Sequence, residues 1–135
     1  MIEKTFRELL LADPTVSALV GDRVLYGAMP QRPTFPRVQI TKVSKTSGLL
    51  LSDAVGMNQV RVQVDCWARS IDEARALADA VNGSDSQSTR GPLHGRSAVG
   101  LKLVTLLVER AAEYEPDESP DRQLYRVSAD YLAHL

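Results

Sequence analysis

The chain has 135 residues, room for one domain, and a domain of that size buries roughly two-thirds of the surface its unfolded chain exposes, so it folds without covalent staples. Hydrophobic residues make up 44% and charged residues 24%, which excludes disorder of the whole chain. Sixteen basic against 17 acidic residues leave a formal charge of −1, without the basic excess that holds dedicated nucleic-acid binders to phosphate. The single cysteine, Cys66, excludes an intramolecular disulfide and a multi-cysteine zinc site. No apolar run is long enough to span a bilayer, and the opening MIEKTFRELLLADP lacks a signal-peptide pattern. The chain is therefore expected to be made and kept in the cytoplasm.

In chain order, Ile2, Phe6, Leu9 and Leu10 share a helical face with Glu3, Lys4, Arg7 and Glu8 between them, predicting an amphipathic helix to about Ala12. Asp13 before Pro14 starts a second helix, carrying Val16, Leu19 and Val20, and Gly21 stops it. Arg23 to Tyr26 reads as a short strand. Residues 29–36 carry three prolines and are a loop. Val38, Ile40 and Val43 open a strand. In Gln59–Trp67 the apolar Val60, Val62, Val64 and Cys66 alternate with Gln59, Arg61, Gln63, Asp65 and Trp67, giving one core face and one mostly polar face.

Ser70 and Glu73 form a capping box for a helix whose Ile71, Ala74, Leu77, Ala78 and Val81 line one face, ended by Asn82 and Gly83. Residues 84–98, polar and rich in Ser and Gly, predict a flexible loop. Leu101–Arg110 is apolar on both faces over its middle, the pattern of a strand covered on both sides. Glu113, Glu115, Asp117, Glu118 and Asp121 predict an acidic turn, facing solvent or a lumen. In the last strand, from Leu124, Tyr125, Val127, Ala129 and Tyr131 alternate with Arg126, Ser128 and Asp130. Two strand pairs around one well-capped helix indicate an α+β single domain: a mostly antiparallel sheet with long hairpins, flanked by two to three helices.

Catalysis requires a positioned acid, base, nucleophile or metal. His94 lies in the predicted flexible loop and His134 beside the end of the sequence, and both read as solvated surface residues. Cys66, among valines on the apolar face, behaves as a small inert hydrophobe. No phosphate-binding glycine loop is present. Asp65 and Asp130 could meet as a carboxylate pair, but Arg61 and Arg126 on the same faces make cross-strand charge pairing the plainer reading. The acidic turn lacks calcium-loop spacing. Tyr125, Arg126 and Tyr131 are a thin version of the aromatic-basic pattern of single-strand binders, yet both tyrosines share a face with Val127 and Ala129, which means core. No catalytic, cofactor-binding or metal residue is assigned.

Leu49, Leu50 and Leu51 stand in succession in the link between two strands, with Val55 and Met57 after them. A link runs over the surface and should be polar, and three consecutive leucines of an extended chain cannot all face one core. Two readings stand. Either the strand extends this far under a helix, or residues 43–58 form a protruding hairpin arm that another subunit covers.

The blocks LLLADPTVSALVGDRV, RVQVDCWARSIDEARALADAV and YRVSADY, in this order and spacing, resemble the tail terminator (tail completion) family of long-tailed bacteriophages and gene transfer agents. VDCW before the capped helix is the most specific part; residues 84–98 depart from the family's more regular helix continuation. The resemblance implies a non-enzymatic virion protein at the tail end or neck, without cofactor. It implies a homo-oligomeric ring, hexameric in such proteins, that ends tail-tube polymerisation. Its partners would be the tail tube protein and a head completion, stopper or adaptor protein, with no membrane and with DNA passing through unbound. Near-neutral charge suits such a passage, and the acidic turn would repel DNA. Other readings are a different neck or baseplate adaptor, a small cytoplasmic ligand-binding or enzymatic domain, and a single-stranded nucleic-acid module.

Overall fold

The first helix, α1 (Ile2–Leu11), turns its apolar stripe inward, so Phe6 and Leu10 are fully buried. It gives way at Asp13, whose Oδ1 accepts from the amides of Thr15 (2.9 Å) and Val16 (3.1 Å) and caps α2 (Pro14–Val20). Gly21, at φ 62°, lets the chain leave α2 in a backbone region that side chains with a Cβ resist. The computed structural model describes residues 2–27, 34–46, 59–84, 91–95, 103–116 and 123–134.

Strands β1 (Val24–Tyr26), β2 (Arg37–Thr46), β3 (Gln59–Ala68), β4 (Leu103–Glu109), β5 (Glu113–Pro116) and β6 (Gln123–His134) form one six-stranded sheet, in the order β1-β2-β3-β6-β4, with β5 also on β6. Every pairing is antiparallel except β1 with β2, which is parallel. Between β3 and β4 lies α3 (Ile71–Asn82), capped by Ser70, whose Oγ accepts from the Glu73 amide at 3.1 Å. All three helices contribute to one core with the inward face of the sheet: Val38 and Ile40, Val60 through Ala68 at alternate positions, and Val127, Ala129, Tyr131 and Ala133. The α+β class and the mostly antiparallel sheet are as the periodicity indicates.

Five local expectations need correction. Glu113 does not sit in a turn: Glu113–Pro116 is strand β5, paired with Gln123–Arg126, because the Tyr114 and Tyr125 rings meet edge to face at 5.5 Å and align that register. Asp117, Glu118 and Asp121 lie outside the described residues, as does the side chain of Glu115. Strand β4 is not covered on both faces. It runs at the sheet margin, and Leu103, Leu107 and Val108 are exposed, with a register shift between Leu106 and Val108 turning the strand.

The third correction concerns the predicted flexible loop. Its described part, 91–95, is packed: Gly91, Pro92 and Leu93 are buried. Gly91 lies directly on the last turn of α3, where a Cβ would overlap the Val81 carbonyl. Fourth, His94 is half-buried, and its Nδ1 accepts the Leu106 amide at 3.1 Å, while the Gly95 amide donates to the Val104 carbonyl at 2.8 Å. Short-range composition could not foretell this, since these partners are supplied by the margin of β4. His134 also differs from its solvated reading: it is half-buried in β6, opposite Gln59 and Leu103. Leu49, Leu50, Leu51, Val55 and Met57 lie outside the described residues.

Gly91→Ala should destabilise the fold by about 1–3 kcal/mol through overpacking, read as a lower urea midpoint at unchanged slope. His94→Ala should cost about 1 kcal/mol and speed hydrogen exchange at the Leu106 amide more than at the β3–β6 amides.

Candidate functional site: the open face of the sheet

Helices cover one face of the sheet. Alternation sends the other residues of β2, β3, β4 and β6 to the opposite face, which no described helix covers. That face is polar, yet Arg37, Gln39, Asp65, Ser128 and Asp130 are buried within it. Polar side chains withdrawn from water in this way need hydrogen-bond or charge partners.

Asp130, Asp65 and Ser128 find them in two clusters; Gln39 Nε2 donates to the Gly27 carbonyl, whereas Arg37 Nε and Nη1 and Gln39 Oε1 have no hydrogen-bond partner among the described residues. Asp130 lies between Arg61 (Nη2 to Oδ2, 2.6 Å) and Arg110 (Nη1 to Oδ1, 3.1 Å; Nη2 to Oδ2, 2.9 Å), its side chain 5% exposed against 44% and 43% for the two arginines. Asp65 accepts from the Ser128 hydroxyl and from Gln63 Nε2. Cross-strand pairing thus holds for Asp130, but with Arg110 rather than Arg126 as its second partner. Arg126 instead stacks over Trp67, 5.3 Å from the ring centroid, and reaches Glu113 at 3.4 Å. Each aspartate thus has its own donors, Asp130 the two arginines and Asp65 the serine and glutamine.

The arrangement of charge has a pH consequence. Hydrogen bonds from Arg110 hold the Asp130 carboxyl below its ordinary range; burial opposes this and Arg61 adds to it.

A third cluster ties the layers together on the helix side. The Tyr131 hydroxyl donates to Asn82 Oδ1, Asn82 Nδ2 donates to Glu109 Oε2 at 2.7 Å, and Arg75 donates to Glu109 Oε1 and to Asp79. Tyr131 is fully buried against Phe6, edge to face at 6.0 Å, so it is core and not a base-stacking platform. Burial pushes the Cys66 thiol well up, which keeps it protonated and unreactive. A shallow cleft lined by Leu9, Ala12, Asp13, Pro14 and Pro92 holds one carboxylate, already committed to capping α2. Among the described residues no three His, Cys, Asp or Glu side chains are grouped to hold a metal ion, and no helix is long and apolar enough to cross a membrane.

With the geometry established, a family model described as tail completion protein gp17 matches residues 4–134. The chain belongs to that family. It is a structural protein of a tailed virion, as its resemblance in sequence implies. No curated protein sequence matches it. Among solved structures, a chain of the virion of a native gene transfer agent particle is similar, at a TM-score of 0.56 and 21% identity. That match covers 98% of this chain and 92% of the other, so the two share the fold over nearly their full lengths.

Two features of this tail completion protein are not legible in its sequence. Arg110 follows β4 and reads as a strand end, and only the β4–β6 pairing brings it to Asp130. Glu109, Asn82 and Tyr131 are far apart in sequence and meet only because α3 crosses behind β6. Asp130→Asn should cost about 1–3 kcal/mol at neutral pH, less than a fully buried pair, because both arginines can turn to water. A carboxyl whose folded pKa is depressed stabilises above its unfolded pKa of about 3.9 and ceases to as pH falls through the folded value. The gap between wild type and Asp130→Asn in denaturant melts should therefore narrow below about pH 4.

Proposed function

We propose that the protein caps the tail tube as a homo-oligomeric ring, ends tube polymerisation and joins the tail to the head, without chemistry of its own. The observation that carries this reading is the unfinished margin of the sheet. In β4, Leu103, Leu107 and Val108 stay exposed at the edge, whereas on the helix side the same sheet buries Val60, Val62, Val64, Cys66 and Ala68 of β3 and Val127, Ala129, Tyr131 and Ala133 of β6. An apolar edge strand left open invites pairing with another chain, and natural proteins leave one open where a partner closes it. A ring subunit needs such a surface, because each copy must bury area against two neighbours through a repeated head-to-tail contact.

The partners in this reading are copies of the same chain, six in the ring, the tail tube protein below and a head completion or adaptor protein above. DNA passes through without specific binding. Glu113, Glu115, Asp117, Glu118 and Asp121 face the passage or solvent. The proposal extends to the leucine segment. β2 and β3 remain paired up to Thr46 opposite Gln59, so residues 47–58 join the far end of a long hairpin. Leu49, Leu50, Leu51, Val55 and Met57 then serve as contacts to a neighbour or an adjoining ring. Burying one such side chain contributes roughly 1.5–3 kcal/mol, so two per contact weigh against the cost of association.

The double change Leu50→Asp with Leu51→Asp should leave the subunit folded by circular dichroism. It should block ring formation, leaving tails that overgrow or lack heads in electron micrographs. Normal assembly by that variant would rule out the leucine contact. A wild-type protein that stayed monomeric even on isolated tube ends would rule out the ring.

A further inference from the structure

An edge strand turns the N–H and C=O of alternate residues away from its sheet, where a strand of another chain can pair with them. Antiparallel pairing uses both groups of a residue, because each hydrogen-bonded pair exchanges two bonds. The edges of the described sheet are β1 on one side and β4, continued by β5, on the other.

At both edges the chain occupies outward groups itself. On β4 the Val104 carbonyl accepts the Gly95 amide at 2.8 Å, and the Leu106 amide donates to His94 Nδ1 at 3.1 Å. One group of each residue is taken, so neither can complete a two-bond pair with an incoming strand. On β1 the Val24 amide donates to the Asp22 carbonyl at 2.8 Å, and the Val24 carbonyl accepts from Arg7 Nε at 2.8 Å. That strand is also only three residues long, which gives an added strand little to hold. The segment lying on β4 is anchored from behind. Leu93 is fully buried in the core, and Gly91 lies on the last turn of α3, where a Cβ would overlap the Val81 carbonyl. Between them Pro92 carries no amide N–H with which to start a further strand pairing.

We propose that residues 91–95 guard the β4 edge against strand addition, so that this margin offers a partner the side chains of Leu103, Leu107 and Val108 and not a strand to extend. Edges bearing leucine and valine are where chains add to one another without limit, and the guard withholds the backbone groups that such growth needs. The inference goes beyond the ring reading and stands without it. Within that reading it means that copies do not join by continuing one sheet.

Variants of the full chain test this. His94→Leu keeps the bulk of the side chain and removes the acceptor, whereas His94→Asn keeps an acceptor in its side-chain carbonyl. Gly91→Val places a side chain against the α3 carbonyl and should lift the segment, releasing both bonds. Val38→Ala, in the core under β2, lowers stability on the far side of the sheet. Analytical ultracentrifugation over a concentration series reads association, and hydrogen exchange reads the Leu106 amide. In dilute His94→Leu that amide should exchange about fivefold faster than in wild type. As concentration rises, His94→Leu and more strongly Gly91→Val should form a ladder of growing oligomers, and protection of Leu106 should return as an added strand takes its amide. Wild type and His94→Asn should show neither change. Wild-type sizes for both released variants at every concentration, or larger species in which Leu106 still exchanges fast, would overturn the guard. Equal laddering by Val38→Ala, compared at temperatures of equal stability, would overturn it too, since lost stability would then be the cause. A wild type that never forms a ring would remove the ring reading and leave this comparison between variants unchanged.

Discussion

Ten residues of β3 face ten of β6, from Gln59 opposite His134 to Ala68 opposite Tyr125. Because side chains alternate across a strand, this pairing divides the molecule in two. Val60, Val62, Val64, Cys66 and Ala68 join Val127, Ala129, Tyr131 and Ala133 beneath the helices, and the intervening residues of both strands go to the other face. A slip of one residue would carry the whole valine set into the open face and the aspartates into the core, so burial specifies the register strongly. The remaining strands build outward from this pair, β2 and then β1 beyond β3, and β4 with β5 along β6.

The open face then has a problem that the helix-covered face does not. Its polar groups are withdrawn from water by their own neighbours, and a carboxylate so placed must be matched by charge or by donors. Asp130 is matched by two arginines, Arg61 of β3 and Arg110 just after β4, and Asp65 by a serine and a glutamine. On the helix side, Glu109 plays the corresponding part, drawing Arg75 and Asn82 of α3 onto the end of β4, with Tyr131 behind. These groups set the geometry of the sheet margins, because β4 and the segment after it hold both Glu109 and Arg110.

The two margins of this sheet differ in character. β4 is partly closed by its own chain, through His94 on the Leu106 amide and Gly95 on the Val104 carbonyl, while Leu103, Leu107 and Val108 remain open. Partial closure of an edge limits indiscriminate strand addition and leaves a defined apolar surface. The opposite margin is cationic around Phe35. Two unlike margins on one sheet suit an assembly in which each copy meets its neighbours through different surfaces.

Local patterns by themselves determined much of this protein. The caps at Asp13 and Ser70, the stops at Gly21 and Gly83, the alternation in β3 and β6 and the α+β class all depend on contacts within a few residues, and all are readable from short-range chemistry. The family resemblance rests on those same blocks. Tertiary structure alone decided the rest. Glu113 and Tyr114 are in a strand because Tyr125 and Arg126 are opposite them, although the acidic composition reads as a turn. The apolar run of β4 lies at an edge because β6 inserts between β3 and β4, a matter of strand order that no local pattern encodes. His94 and Gly91 are fixed by the backbone of β4 and the last turn of α3, and Asp130 acquires Arg110, which follows β4 and precedes it by 20 residues. Each of these depends on a partner far along the chain, and sequence spacing alone does not say which distant groups the folded sheet will bring together.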